Sequence, residues 1–126
     1  MPKKTILTDT APAVIGPYSQ AVEANGFVFV SGQLPTDLKT GTFTEADTAK
    51  QTEASIKNIQ AILKAAGLTL EAVVKTTVFM TDLTKFAQMN EVYARFFAKL
   101  PPARAAVEVR ALPKGALVEI EAIAAR

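Results

Sequence analysis

Apolar residues recur at helical spacing in only two stretches of this chain; the segments around them are short, β-branched and alternating. In the first stretch, from about Glu45, Ala49, Ile56, Ile59, Leu63 and Ala66 share one helix face, with Thr44 as N-cap and Gly67 as the C-terminal stop. The second starts from a cap at Asp82 or Thr84 and runs to about Leu100, where Pro101 and Pro102 end it. Two helices can cover one face of a sheet and leave the other bare. A chain patterned in this way needs a partner for the bare face, and self-association around a symmetry axis is the expected solution.

The remaining segments read as strands. "TILT" and "YSQAVEA" come first, and Asn25-Gly26 then leads into "FVFVSG" with the signature of a tight hairpin. "AVVKTTVFMTD" is a strand between the helices. Arg104 to Arg110 and Leu117 to Ala124 are predicted to form an antiparallel hairpin through a turn at Pro113, Lys114 and Gly115. The order is β-β-β-α-β-α-β-β, and the 126 residues fit one domain spanning positions 1–126.

Composition excludes several chemistries. With no Cys and no His, the chain has no disulfide, thiol nucleophile, histidine base or ordinary zinc site. No Asp-rich loop of the calcium type occurs, so no metal or other cofactor is expected. A formal charge of +2 with dispersed basic residues, apart from Lys3 and Lys4, gives no footprint for a phosphate backbone, and nucleic acid is not expected as a partner. Neither a signal region nor a membrane span is present, which predicts a soluble cytoplasmic protein.

A few residues are not explained by packing or solvation: Tyr18, Ser31, Asn90, Arg104, Glu119 and Glu121. Arg104 follows two prolines and opens an apolar strand, where it either pairs with a carboxylate or holds a ligand. Asn90 lies on the stripe of Phe86, Met89, Tyr93, Phe96 and Phe97, as a bridge between backbone groups or as part of a site. Tyr18 is either a rim aromatic after a Gly-Pro turn or a site residue, and Ser31 either closes a strand or serves a ligand. Glu119 and Glu121 share a strand face with Leu117 and Ile123, and either can balance Arg104 or Arg110.

Together, "GPYSQAV", "FVFVSGQLP", "KTTVFMTDLTKFAQMNEVYARFF", "PPARAAVEV" and "VEIEAIAAR" resemble, in order and spacing over the whole chain, the Rid (YjgF/YER057c) family of enamine/imine deaminases. The resemblance implies an α+β, chorismate-mutase-like fold with a mixed sheet, two helices packed on one face, a homotrimer, and ligand clefts between neighbouring chains. It assigns Arg104 to the substrate carboxylate, Glu119 to catalysis with Arg104, and Tyr18, Ser31, Gly32 and Asn90 to substrate binding. One departure is Ala106, where many relatives carry a cysteine two residues after the arginine.

The implied reaction hydrolyses 2-aminoacrylate/2-iminopropanoate and 2-aminocrotonate/2-iminobutanoate to 2-keto acids and ammonia, removing reactive intermediates. Such imines are already electrophilic, so orientation of substrate and water suffices, and Ala106 is compatible with the reaction. Two other readings stand beside it: a non-catalytic binder of small carboxylates, and the RNA-cleaving translation inhibition described for some relatives.

Overall fold

The computed structural model describes residues 2–126. Six strands form one sheet: β1 (Lys4–Ile6), β2 (Ala21–Ala24), β3 (Phe27–Gln33), β4 (Val73–Met80), β5 (Ala103–Glu108) and β6 (Val118–Ala125). Two helices accompany it, α1 (Thr48–Ala65) and α2 (Phe86–Phe96). The strand order is β1-β2-β3-β6-β4-β5, with every pairing antiparallel except β4 with β5. This is the α+β arrangement with a mixed sheet that the sequence predicts.

The β2–β3 turn forms as its residues require. Asn25 and Gly26 take φ of 55° and 80°, the paired left-handed conformation of a tight hairpin turn. The final hairpin, by contrast, does not form. β5 pairs parallel with β4, in register Thr76↔Arg104, because α2 carries the chain back to the end of the sheet from which β4 started. The chain then returns through the Pro113–Gly115 turn and lays β6 between β3 and β4. Composition explains which strand takes which slot. Val118, Ile120, Ala122 and Ala124 are all buried, as an interior strand demands, whereas β5 is largely exposed and follows two prolines that have no N–H to give a ladder.

Two helix boundaries also differ from the sequence reading. Asp47, not Thr44, caps α1: its carboxylate accepts from the Lys50 N–H at 2.9 Å, and the helix starts at Thr48 instead of near Glu45. The Thr44 hydroxyl is buried without a hydrogen-bond partner. At the far end Gly67 does stop the helix, at φ 77°. Asp82 caps a short turn, Leu83–Lys85, that leads into α2, and α2 ends at Phe96, well before Leu100. Phe97 leaves helical geometry to turn its ring into the core against Tyr93, centroids 4.6 Å apart, so the prolines follow a helix that has already stopped.

Ile56, Ile59, Ile62 and Leu63 of α1 and Met89 and Tyr93 of α2 meet Val28 and Val30 of β3, Val78 and Met80 of β4 and the buried positions of β6. Among the described residues no α-helix covers the opposite sheet face. Phe27 and Phe29 stand 43% and 45% exposed there, and Glu119 and Glu121 lie opposite Phe79 and Thr77, respectively, of the neighbouring strand.

The capping assignment is checked by denaturation. Asp47→Ala should cost about 1 kcal/mol through loss of the cap. Thr44→Val should cost nothing, since it removes a hydroxyl that has no partner; an unchanged midpoint for Asp47→Ala would return the cap to Thr44.

Candidate functional site

Four of the predicted site residues gather on the open face where β3 meets β6. From Val30 to Gln33 the chain spends one residue more than the facing interval Ala122 to Ile120, which makes a bulge at Ser31–Gly32. The bulge frees the Ser31 hydroxyl to donate to the Ser19 carbonyl at 2.6 Å, while the Ser31 N–H donates to the Gln20 carbonyl at 3.0 Å. These bonds hold the Gly16–Ser19 loop, and with it the half-exposed Tyr18, beside β3. Gly32 is fixed by a close approach: a Cβ there would lie 2.6 Å from Oε2 of Glu119. Tyr18, Ser31, Gly32 and Glu119 thus line one open cleft of about 540 Å³, together with Lys114 and Glu121. A neighbouring groove of about 610 Å³ shares Ile15, Tyr18, Gly32, Leu34 and Lys114 with it.

Burial in this cleft pushes the Glu119 carboxyl above its ordinary range, and the like charge of Glu121 adds to the effect. Glu121 is exposed and no cation pairs with either carboxylate among the described residues, so the sequence expectation that one of them balances an arginine is not met within the chain.

Arg104 and Asn90 form a second group. Arg104 Nη1 donates to Asn90 Oδ1 at 2.7 Å, and the guanidinium carbon lies 4.8 Å from the Tyr93 ring centroid and 5.3 Å from that of Phe86. Phe86, Asn90 and Tyr93 occupy one stripe of α2, which explains the polar amide among aromatics: it receives the arginine. The arginine has no carboxylate partner among the described residues, and its other N–H donors remain available for a bidentate acceptor.

Within one chain the two groups lie on opposite faces of the sheet. Arg104 is beside Thr76, and Thr76 is opposite Ala122, which faces the helices; Glu119 is out of phase with Ala122 and faces away from them. The sequence reading therefore names residues that a single chain does not bring together. It also missed the aromatic support under Arg104, whose only signal was the helical spacing of Phe86, Asn90 and Tyr93, and Lys114, which is held at φ 58° in the β5–β6 turn and lines the cleft. Among the described residues no group of acidic, His or Cys side chains is placed to hold a metal, and no helix is long and apolar enough to cross a membrane.

The raised Glu119 carboxyl has a consequence for stability. The folded chain binds that proton more tightly than the unfolded chain, so the stability it contributes is complete below the ordinary carboxylate pKa and is lost as pH rises through the raised one. Glu119→Gln should therefore raise Tm at neutral pH, and the gain should shrink to nothing in acid. A gain of equal size at both pH values would contradict the shift.

The fold and most of the sequence have counterparts in known proteins. Residues 8–126 match the family described as Endoribonuclease L-PSP. A RutC family protein of Pyrococcus horikoshii is 53% identical over 122 residues, covering 97% of both chains. The 2-iminobutanoate/2-iminopropanoate deaminase of Salmonella typhimurium is 50% identical over 126 residues, covering 98% of each. The crystal structure of Escherichia coli TdcF with bound serine superposes with a TM-score of 0.93 at 47% identity, covering 98% of each chain. With the family match spanning residues 8–126 and relatives about 50% identical over nearly the full chain, the chain belongs to the Rid (YjgF) family, described also as the endoribonuclease L-PSP family.

Proposed function

We propose that this chain is a cytoplasmic, metal-independent deaminase that hydrolyses 2-iminopropanoate and 2-iminobutanoate, formed from their enamines, to the 2-keto acid and ammonia. We further propose a homotrimer in which Arg104 and Asn90 of one chain face Tyr18, Ser31, Gly32 and Glu119 of the next. The observation that carries this reading is Arg104: a permanently charged fork on an aromatic seat, bonded to an amide and, among the described residues, to no carboxylate. The naming of 50% identical relatives as deaminases supports the reaction. The bare sheet face with Phe27 and Phe29, and the division of the site between two faces, support the assembly.

The steps are few. An enamine takes a proton at C3 to become the imine, and Arg104 grips the carboxylate through two parallel N–H···O bonds. Glu119 takes a proton from water as the hydroxyl adds to C2 and passes it to the nitrogen, giving the carbinolamine; it then carries the carbinolamine O–H proton to the same nitrogen, so the C–N bond breaks and ammonia leaves as the C=O forms. The raised pKa of Glu119 brings it closer to the working pH of a general base. Burial is the main cause of that shift, and the charge of Glu121 adds to it. Tyr18 stands over the cleft, and the Ser31 oxygen, whose proton is committed to Ser19, offers a lone pair to the departing nitrogen. A second reading, a carboxylate-binding protein without turnover, is favoured by one observation, the serine bound to the related TdcF.

A dehydratase that generates the imines in situ, coupled to detection of 2-keto acid, separates the two readings. The protein should accelerate keto-acid release above background. Arg104→Lys and Arg104→Ala should both lose most of the rate, because Lys keeps the charge but not the fork. Glu119→Gln should slow turnover by roughly a hundredfold or more while still binding 2-oxobutanoate. A wild-type rate equal to background leaves the binding protein.

The assembly has its own test. Arg104→Ala and Glu119→Gln chains, each inactive alone, are mixed by joint refolding. Random mixing places an intact Arg104 opposite an intact Glu119 in about one quarter of clefts, so activity should return to about that fraction of wild type. No recovery in trimers shown by light scattering to be mixed would place the whole site within one chain.

A further inference from the structure

Arg104 sits on an edge strand, where a long side chain has many rotamers and little to restrain it. Its bond to Asn90 fixes one nitrogen, and a single hydrogen bond leaves the guanidinium free to swing about that point. The remaining restraint comes from below. The Tyr93 ring lies 4.8 Å from the guanidinium carbon, and that ring is itself tied down, since the Tyr93 hydroxyl shares a 2.7 Å hydrogen bond with the Thr76 hydroxyl. Thr76 is fully buried and is the residue in register with Arg104 across the parallel β4–β5 pair. Tyr93 also packs against Phe97, the rings tilted by 36° with centroids 4.6 Å apart. The arginine, the ring beneath it and the hydroxyl that pins the ring thus close a loop through β5, α2 and β4.

We propose that Tyr93 is a positioning residue for Arg104: its ring sets the plane of the guanidinium, and the Thr76–Tyr93 hydrogen bond holds the ring at the height and tilt that turn the free N–H edge toward a substrate carboxylate. This rests on the carboxylate-recognition role given to Arg104 above and adds the device that presents it. A cation over an aromatic face is attracted by the ring quadrupole, and the attraction strengthens as water is excluded. Phe86, 5.3 Å away, gives a second face, so the guanidinium is bounded by two rings and one amide. Burial raises the Tyr93 phenol above its ordinary pKa, against the opposing effects of the Thr76 bond and the Arg104 charge, so the hydroxyl keeps its proton and its bond at neutral pH. A buried Tyr–Thr pair could serve the core alone, but a Phe would fill the same space without needing a partner, and it is the ring's fixed position under a cation that the hydroxyl adds.

Three variants separate positioning from core packing, each read by Tm, by 2-oxobutanoate affinity and by KM against kcat in the imine assay. Tyr93→Leu removes the ring and should weaken 2-oxobutanoate binding roughly tenfold. Tyr93→Phe keeps the ring but orphans Thr76, and should lower both Tm and affinity. The decisive variant is Thr76→Val with Tyr93→Phe: both partners become apolar, no buried hydroxyl is stranded, and Tm should return close to wild type. Affinity should stay roughly three- to fivefold weak, with KM raised and kcat nearly unchanged, because the ring is present but no longer pinned. Recovery of Tm and affinity together in that double variant would mean a core contact only and overturn the proposal. A spectroscopic readout is independent of activity. The chain has two tyrosines and no tryptophan, so in Tyr18→Phe protein the near-ultraviolet circular dichroism of tyrosine reports Tyr93 alone. Adding Thr76→Val to that protein unpins the ring and should weaken the signal, and an unchanged signal would show that the hydroxyl bond does not fix the ring and overturn the proposal. Failure of wild type to bind 2-oxobutanoate at all overturns the carboxylate-recognition reading and this inference with it, whereas wild-type binding that all three Tyr93 and Thr76 variants retain overturns this inference alone.

Discussion

The last strand is the keystone of the sheet. β6 pairs with β3 on one side and β4 on the other, and removing it would leave a hairpin with β1 on one side and a β4–α2–β5 unit on the other with no ladder between them. Its apolar positions also form the floor on which α1 rests. Both groups of candidate site residues depend on it. The Ser31–Gly32 bulge exists only as a mismatch against Ala122–Ile120, Glu119 is carried on β6 itself, and β5 with Arg104 reaches the sheet only through β4, which β6 anchors.

Strict alternation along these strands governs the rest. The same parity that buries Ile120 and Ala122 under the helices turns Glu119 and Glu121 to the open face, and the same parity that sets Arg104 beside Thr76 turns it toward α2. A one-residue slip of β6 would exchange its buried and exposed sets entirely, moving apolar side chains out and carboxylates into the core. Register is therefore strongly specified, and the separation of Arg104 from Glu119 follows from it. Gly32 adds a local condition: only a residue without a side chain lets the Glu119 carboxylate lie against β3, where desolvation lifts its pKa.

What could be read from the sequence was what is local. The period of Ile56, Ile59 and Leu63, the Asn25-Gly26 turn and the Gly67 stop each depend on a few neighbouring residues, and each is found. The cap was misplaced because Thr44 and Asp47 are both good capping residues three positions apart, and only tertiary contacts with the Pro35 region draw Thr44 away from the helix. The last hairpin does not form because β5 and β6, neighbours in sequence, are not neighbours in the sheet; no local signal says that β6 travels past β5 to an interior slot. For the site, the residue types were legible through family resemblance, but the faces were not, since they depend on registers across three strands. The seat beneath Arg104 joins residues 76, 86, 90, 93 and 104, a set that appears only once the parallel β4–β5 pairing exists.

The interior position of β6 also sets a kinetic condition. Phe27 pairs with Ala125, so closing the β3–β6 ladder requires segments about a hundred residues apart in sequence to meet. Such non-local pairing is slow relative to helix formation or hairpin closure. Until it happens, β3 and β4 each present an unsatisfied edge lined by Val28, Val30 and Val78, the kind of edge to which foreign strands add. The competition between β6 arrival and intermolecular pairing then decides the yield of folded chains. Refolding should be most efficient at low protein concentration, where the intramolecular partner wins.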